Sequence, residues 1–353
     1  MRIELRKWLI AALLMVMGSG YTGSAQAAKT SKSSQTSQNN IGYSVSAKIP
    51  KNQIHTANTF FDLKMTKGKS QTLKTVIYNT TNRDIQVETA IHTAYTNKNG
   101  AIEYVTPAKK YDSSLKYKMS DITKITGAKT VTVPANGSKT VVAQVKMPEQ
   151  SFNGVILGGW YFKRVDEKVT GSVKGAMNLK NQYSYVIGLK YSSGTIPQPT
   201  MKLGSVKAGL IDYHRGITAT LRNPSAVIIP NLTSKTTLTS KNSGKVVKKL
   251  SQKNIQMAPN TSYAYPMYFG SSKLQAGKYH LHMVIKNSEH KWTFDRDFTV
   301  SSADAKKYNK TAAENKGINI WWFIILGALG MLILILLILW LFFYIRKRRQ
   351  SKD

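Results

Sequence analysis

The chain has 353 residues and no cysteine, with 51 lysines and arginines against 17 acidic residues, a formal net charge of +34. The lack of cysteine excludes disulfides, thiol nucleophiles and Cys-ligated zinc. Most of the basic excess lies between the two charged ends, and a field of that size favours polyanionic surroundings: nucleic acid, anionic wall polymers or lipid headgroups.

Residues 1–27 have the three parts of a secretory signal peptide. Arg2, Arg6 and Lys7 form the positive start, Trp8 to Met17 the apolar run, and Ala25-Gln26-Ala27 a small-x-small cleavage site. The apolar run is too short to cross ~30 Å of hydrocarbon. Residues 28–40 are polar and read as a disordered leader.

From Tyr43 the pattern changes to short stretches of period two. Tyr43 to Ile49 alternates as a half-buried strand does. In Thr72 to Tyr78, Leu73, Thr75 and Ile77 share one face, with Val76 and Tyr78 on the other. Ile85 to His92 follows, and the turn Thr96-Asn97-Lys98-Asn99-Gly100 leads into Ile102-Glu103-Tyr104 as a hairpin. Val131 to Val133, Thr140 to Met147, Val155 to Phe162 and Tyr183 to Tyr191 complete a first unit, residues 41–191. Residues 192–199, with Gly194, Pro197 and Pro199, read as a linker. A second series of strands fills residues 200–300. Short strands at this spacing predict an all-β chain of two tandem immunoglobulin-like β-sandwiches. One short helix is expected near Ser113 to Ile122, and residues 301–319 read as a polar stalk. Val133-Pro134-Ala135-Asn136-Gly137 and Met257-Ala258-Pro259-Asn260-Thr261 each precede a strand and form an internal echo, open to chance or to equivalent turns.

Ile320 to Ile345 contains no charge and is long enough for a transmembrane helix. Trp321 and Trp322 sit at one end and Trp340 and Tyr344 near the other, as interfacial anchors do. Arg346, Lys347, Arg348 and Arg349 follow, and the positive-inside rule places residues 346–353 in the cytoplasm. The expected topology is single-pass type I, with the large domain on the cell-wall side. In that compartment wall polyanions are the expected partners and nucleic acid is not.

Candidate contacts combine aromatic rings with charge. Trp160, Tyr161, Lys163 and Arg164 lie on one predicted strand, with Trp160 and Phe162 on one face and Tyr161 on the other. Packing in the sandwich core is the plainer reading of one of those faces. Phe60-Phe61-Asp62-Leu63 carries the same ambiguity, with Asp62 able to cap a turn. Asn97 and Asn99 mark a hairpin tip that can meet a partner. Lys109, Lys110, Lys116 and Lys118, with Tyr111 and Tyr117, form the densest basic-aromatic loop, read as solvated charge or as a seat for an anionic polymer. His280 and His282 share a strand face, but no carboxylate or cysteine of matching spacing completes a metal set. No nucleophile elbow, glycosidase dyad, phosphate loop or dinucleotide fingerprint occurs, so neither enzyme activity nor a cofactor is expected.

Several stretches, in order, resemble one family. They are Ile49-Pro50-Lys51-Asn52-Gln53, Phe60-Phe61-Asp62-Leu63, Lys67-Gly68-Lys69, Asn79-Thr80-Thr81, Thr96 to Tyr104 and Phe152 to Gly159, then Asn223-Pro224, Ala258 to Ser262, Leu274 to Tyr279 and Trp292-Thr293-Phe294 with Phe298. The chain resembles the WxL-interacting proteins of Gram-positive bacteria over residues 41–300. Lys67-Gly68 stands where that family usually has Pro-Gly. The resemblance implies a peptidoglycan-binding domain followed by a host-binding domain. Its implied partners are peptidoglycan, a secreted WxL-domain protein and a host extracellular protein. An adhesin for host matrix without a WxL partner, or a structural spacer in the wall, are the alternative functions.

Overall fold

The computed structural model describes residues 42–166, 183–315 and 320–350. The signal peptide, the leader at 28–40 and the last three residues of the basic tail lie outside the described residues.

The first sandwich pairs two sheets. One runs β1 (Tyr43–Lys48), β3 (Ser70–Asn79), β9 (Ser138–Lys146), β7 (Thr123–Thr126). The other runs β2 (Phe61–Lys64), β11 (Ser184–Ser193), β10 (Gly154–Arg164), β4 (Ile85–Thr93), β8 (Thr130–Val133). The expected alternation holds in β3, where Leu73, Thr75 and Ile77 are buried while Thr72, Lys74 and Tyr78 are exposed. Trp160 is the centre of this core. Its ring stacks between Phe61 and Phe162, at centroid distances of 6.5 and 5.5 Å, and its indole N–H donates to Thr89 Oγ1 at 2.6 Å. That bond satisfies the one polar atom the core must enclose.

Asp62, on β2, does more than cap a turn. Its buried carboxylate meets His55 Nδ1 at 2.6 Å, Lys190 Nζ at 3.1 Å and Asn58 Nδ2 at 3.2 Å, fastening the loop before β2 to β11. Burial works to raise its pKa, but the hydrogen bonds from His55 and Lys190 outweigh burial and hold it below the usual value.

The second sandwich sets β12 (Lys202–Ile211), β13 (His214–Asn223) and β16 (Thr261–Tyr268) against β15 (Val246–Met257), β14 (Ile229–Ser240), β17 (Gly277–Lys286) and β18 (Lys291–Val300). Tyr263, Tyr265, Leu238, Leu281 and Met283 are fully buried between the sheets. The Tyr265 hydroxyl is met by Ser234 Oγ at 3.0 Å and Thr236 Oγ1 at 3.3 Å.

The sequence echo corresponds to one corner built twice. Asn79 ends β3, and its Nδ2 donates to Arg83 O (2.8 Å) and Pro134 O (2.9 Å), while its Oδ1 accepts from Thr81 N (2.9 Å). Asn223 ends β13 and repeats the set with Val227 O (2.7 Å), Ala258 O (2.9 Å) and Ser225 N (3.1 Å). Opposite each stands a left-handed asparagine, Asn136 at φ 51° and Asn260 at φ 50°. Their backbone N–H groups donate to Thr81 O at 2.8 Å and Ser225 O at 3.0 Å. Asparagine tolerates that backbone region better than most side chains.

Two helices differ in how far the sequence shows them. The short helix α1 (Met119–Ile122) falls where one was expected. The expected polar stalk, by contrast, is folded over much of its length. Ser302–Thr311 forms α2, with Ser301 Oγ capping Asp304 N at 3.0 Å. Asn309 exchanges two hydrogen bonds with the Leu274 backbone, at 2.8 and 2.9 Å, and Ala305 and Ala312 are buried on the second sandwich. The inward residues are small, so the helix carries little apolar signal. The last element, α3 (Ile320–Gln350), contains Phe323–Tyr344, 22 residues long and apolar enough to cross a membrane.

Candidate functional site

Between the sandwiches the first unit reaches into the second with its hairpin. β5 (Tyr95–Thr96) and β6 (Ile102–Glu103) pair across the Asn-Gly turn. Thr96 N donates to Thr261 Oγ1 at 3.0 Å, and Ala258 N donates to Thr96 Oγ1 at 3.0 Å. Gln256 N donates to Gly100 O at 2.7 Å. A Cβ on Gly100, whose φ is +76°, would lie 3.2 Å from both Gln252 Nε2 and Tyr263 Oη. Only glycine lets the tip sit this deep.

The strand β10 forms the other side of the joint. Every residue from Gly154 to Trp160 is buried, because both faces of the strand are covered. Val155 and Leu157 pack with Ala94 and Ala258 across the joint, backed by Tyr104 and Ile228. A Cβ on Gly158 would meet Met119 at 2.3 Å, and one on Gly159 would meet Val186 at 2.7 Å. Val155 N donates to Ala226 O at 2.7 Å, so the Asn223 corner is tied directly to the first sandwich. Asp112 closes the joint with a bidentate pair to Arg222, at 2.6 and 2.7 Å. The Arg222 guanidinium holds the Asp112 pKa down to about 2.

Beside this joint opens a cleft of about 710 Å³. Tyr117 and Phe152 stand edge to face at 5.7 Å, and the Tyr117 hydroxyl donates to Gln150 Oε1 at 3.0 Å. Around the rings lie the amides of Asn153 and Asn260, the hydroxyls of Ser114 and Ser225, and Lys116. The walls come from both sandwiches. Asn260 Nδ2 is spent on Pro224 O at 2.8 Å, which sets the shape of the second-sandwich wall. Rings for sugar faces, with amides and hydroxyls for sugar hydroxyls, make a site suited to a glycan, and the lysine suits a carboxylate on it.

The candidates from sequence are distributed unevenly around this site. Trp160 is fully buried and presents nothing to a ligand, so its aromatic surface belongs to the core. Tyr161 is half-buried and stacks on His92 at 5.2 Å, and Lys163 is half-buried on the same strand. Arg164 is 8% exposed and its Nε and Nη2 engage Asp166 at 2.9 and 3.1 Å. Asn97 Oδ1 accepts from Asn99 N and Ala101 N, so its side chain builds the turn. Asn99 O accepts from Gln252 Nε2 at 3.1 Å, so the tip expected to meet a partner meets the second sandwich of its own chain. Lys109 and Lys110 are exposed, and Tyr111 lies under Lys118 Nζ at 5.5 Å. Of the basic-aromatic loop, Lys116 and Tyr117 reach the cleft.

Sequence reasoning did not single out Gln150, Phe152, Asn153, Ser225 or Asn260 as contacts. Phe152, Asn153 and Asn260 fall inside motifs quoted for the family resemblance, yet nothing local shows that these motifs converge. The structure also supplies carboxylates the sequence spacing hid. Across β17 and β18, Asp297 stands opposite His280 and Asp295 opposite His282. His280 Nδ1 meets Asp297 Oδ1 at 2.7 Å, and His282 Nδ1 meets Asp295 Oδ1 at 2.8 Å. Among the described residues no group of three or more such side chains is arranged to hold a metal ion.

Residues 43–164 match the peptidoglycan binding domain of the WxL Interacting Protein, and residues 174–310 match its host binding domain. The chain belongs to the WxL-interacting protein family. As a family member with both domains and one apolar C-terminal helix, it is a cell-surface binding protein. The second match takes in most of α2, in keeping with that helix packing on the second sandwich. It also takes in β11, which the sheet order gives to the first. No curated protein matches the chain. Among solved structures, the CsuC-CsuE chaperone-tip adhesion subunit complex of Acinetobacter baumannii is 9% identical, with a TM-score of 0.30 over 57% of this chain and 85% of that one. The Salmonella enterica SafA pilin in complex with the SafB chaperone is 10% identical, with a TM-score of 0.28 over 71% and 95%. Likenesses this distant transfer no activity.

Proposed function

We propose that this WxL-interacting protein is a non-enzymatic wall binder, exported by residues 1–27 and held by α3. In this reading Trp321, Trp322, Trp340 and Tyr344 anchor the helix. Arg346, Lys347, Arg348 and Arg349 stay inside the cell. The two sandwiches stand in the wall, hold peptidoglycan at the joint cleft, and present a secreted WxL-domain protein or a host protein. Membrane anchoring and type I orientation rest on the apolar length of α3 and the basic run after it. The observation that carries the glycan site is the Tyr117–Phe152 ring pair framed by amides and hydroxyls from both sandwiches.

The test is retention of the full chain, in detergent, on purified wall sacculi with and without their anionic polymer. Retention is expected to survive removal of the polymer and to fall at least ten-fold in a Tyr117→Ala, Phe152→Ala double variant whose melting temperature is little changed. If retention disappears with the polymer or in high salt, diffuse charge holds the wall and the cleft does not.

A further inference from the structure

The first sandwich has an open seam. β2 pairs in parallel with β11 only from Leu189 to Ser192, leaving Ser184 to Gly188 with no strand beside them on that side. Met65 N donates to Ser192 O on the β2 side. The two-residue period of a strand therefore turns the backbone groups of Val186 and Ser184 to that side as well. Across the seam β1 is the edge of the other sheet. Gly42 O accepts from Thr80 N at 3.0 Å, which directs even-numbered residues of β1 to β3 and leaves Val45 and Ala47 facing outward. β1 and β11 are drawn together at one end, where the Tyr43 hydroxyl reaches Tyr183 O at 3.3 Å and its ring meets Tyr185 at 5.0 Å. Between them lies a groove of about 650 Å³, lined by Val45, Phe60, Tyr104, Leu157, Gly188 and Ile228 among others. None of the residues lining it is acidic.

We propose that this groove docks an extended segment of a partner protein by strand addition. The segment pairs with the backbone of Val186 and Ser184, and alternate apolar side chains enter the groove. Open backbone donors and acceptors facing an apolar slot are the two parts such recognition needs. The five residues from Ser184 to Gly188 offer about 17 Å of edge, at about 3.4 Å per residue. Charge selects the flanks of the segment. Lys163, opposite Ser184 in the ladder, and exposed Lys48, at the far end of β1, stand at the two ends of the slot. The occupant is therefore a segment with alternating apolar residues and acidic flanks. The proposal rests on the reading that this chain holds another surface protein, and it names the surface that does so.

The probes are ten-residue peptides of alternating valine and threonine: one flanked by glutamates, one flanked by lysines, and one glutamate-flanked with proline at every second position. Binding to the full chain is expected for the first, at least ten-fold weaker for the second, and absent for the third, which has lost its ladder donors. Val186→Pro removes an outward N–H while sparing the bonds to β10, and Gly188→Trp fills the slot. Each is expected to weaken the first peptide at least ten-fold. Where Val186→Pro lowers the melting temperature, Gly188→Trp carries the comparison. Equal binding of the proline peptide, no binding of any peptide, or unchanged binding by both variants overturns the proposal. Retention of a purified secreted WxL-domain protein separates this inference from its premise. If both variants still retain it, the seam is wrong and the partner reading stands. If the unaltered chain does not retain it, the partner reading fails whatever the peptides do.

Discussion

Asn79 and Asn223 occupy the same place in the two sandwiches, each at the end of a strand and each bonded across a turn to a left-handed asparagine. Around Asn79 the corner ends one sandwich. Around Asn223 it is a joint, because Ala226 O takes the Val155 N–H and Thr261 Oγ1 takes the Thr96 N–H. The same backbone device thus closes a domain in one copy and couples two domains in the other. What separates them is not the asparagine but what reaches it: the Thr96–Gly100 hairpin and the start of β10. A surface formed by coupling exists only while the joint holds, and the cleft at Tyr117 and Phe152 is such a surface.

The largest expected effect breaks both corners alike. Asn79→Ala and Asn223→Ala each strand buried carbonyls and are expected to cost about 2 kcal/mol or more in chemical denaturation. Only Asn223→Ala is expected to reduce wall retention as well, since only that corner shapes the cleft. Equal retention by the two variants would erase the distinction between corner and joint.

A smaller effect is expected at the tip. Gly100→Val places a branched side chain at positive φ against Gln252 and Tyr263, and should partly lift the hairpin from the second sandwich. Protease cleavage between the sandwiches, slow in the unaltered chain, should then accelerate several-fold while each sandwich survives.

Acid offers a milder way to loosen the same joint. Asp112 has its pKa depressed to about 2 from 3.8 by Arg222. Its contribution is full above pH 3.8 and is lost as pH falls toward 2, so coupling measured by interdomain cross-linking should weaken in that window. Arg222→Ala should flatten the dependence.

The smallest effect lies away from the joint. Asp297 and Asp295 raise the His280 pKa above 6.5, the bond to Asp297 contributing most. The stabilisation is present below pH 6.5 and is lost as pH rises through the raised value. All these groups are exposed, so the melting temperature of the second sandwich should drop only slightly across neutral pH, and not at all in Asp297→Asn, Asp295→Asn.

The residues that made the fold legible are those whose role is settled within a few positions of chain. Period-two runs such as Leu73, Thr75 and Ile77 reveal their strands, and Asn99-Gly100 reveals its hairpin. The paired corners were visible as an echo because each needs an asparagine at positive φ. The candidate site was far less legible. Trp160 carries the chemistry of a ligand platform, but partners distant in sequence, Phe61 and Thr89, claim it for the core. Gln150, Phe152, Asn153, Ser225 and Asn260 look ordinary alone and become a site only when two sandwiches meet. α2 escaped notice for a related reason, since Ala305 and Ala312 need only a close-fitting sheet, not a broad apolar face, to hold it.

The account's central claim is that wall glycan sits where the two sandwiches join. Titrating a soluble disaccharide muropeptide into the full chain, with tyrosine and phenylalanine rings isotopically labelled, tests this directly by NMR. The account predicts saturable shifts of the Tyr117 and Phe152 resonances and none at Tyr161, which is already stacked on His92. Saturable shifts confined to rings away from the joint, or none at any ring, would contradict it.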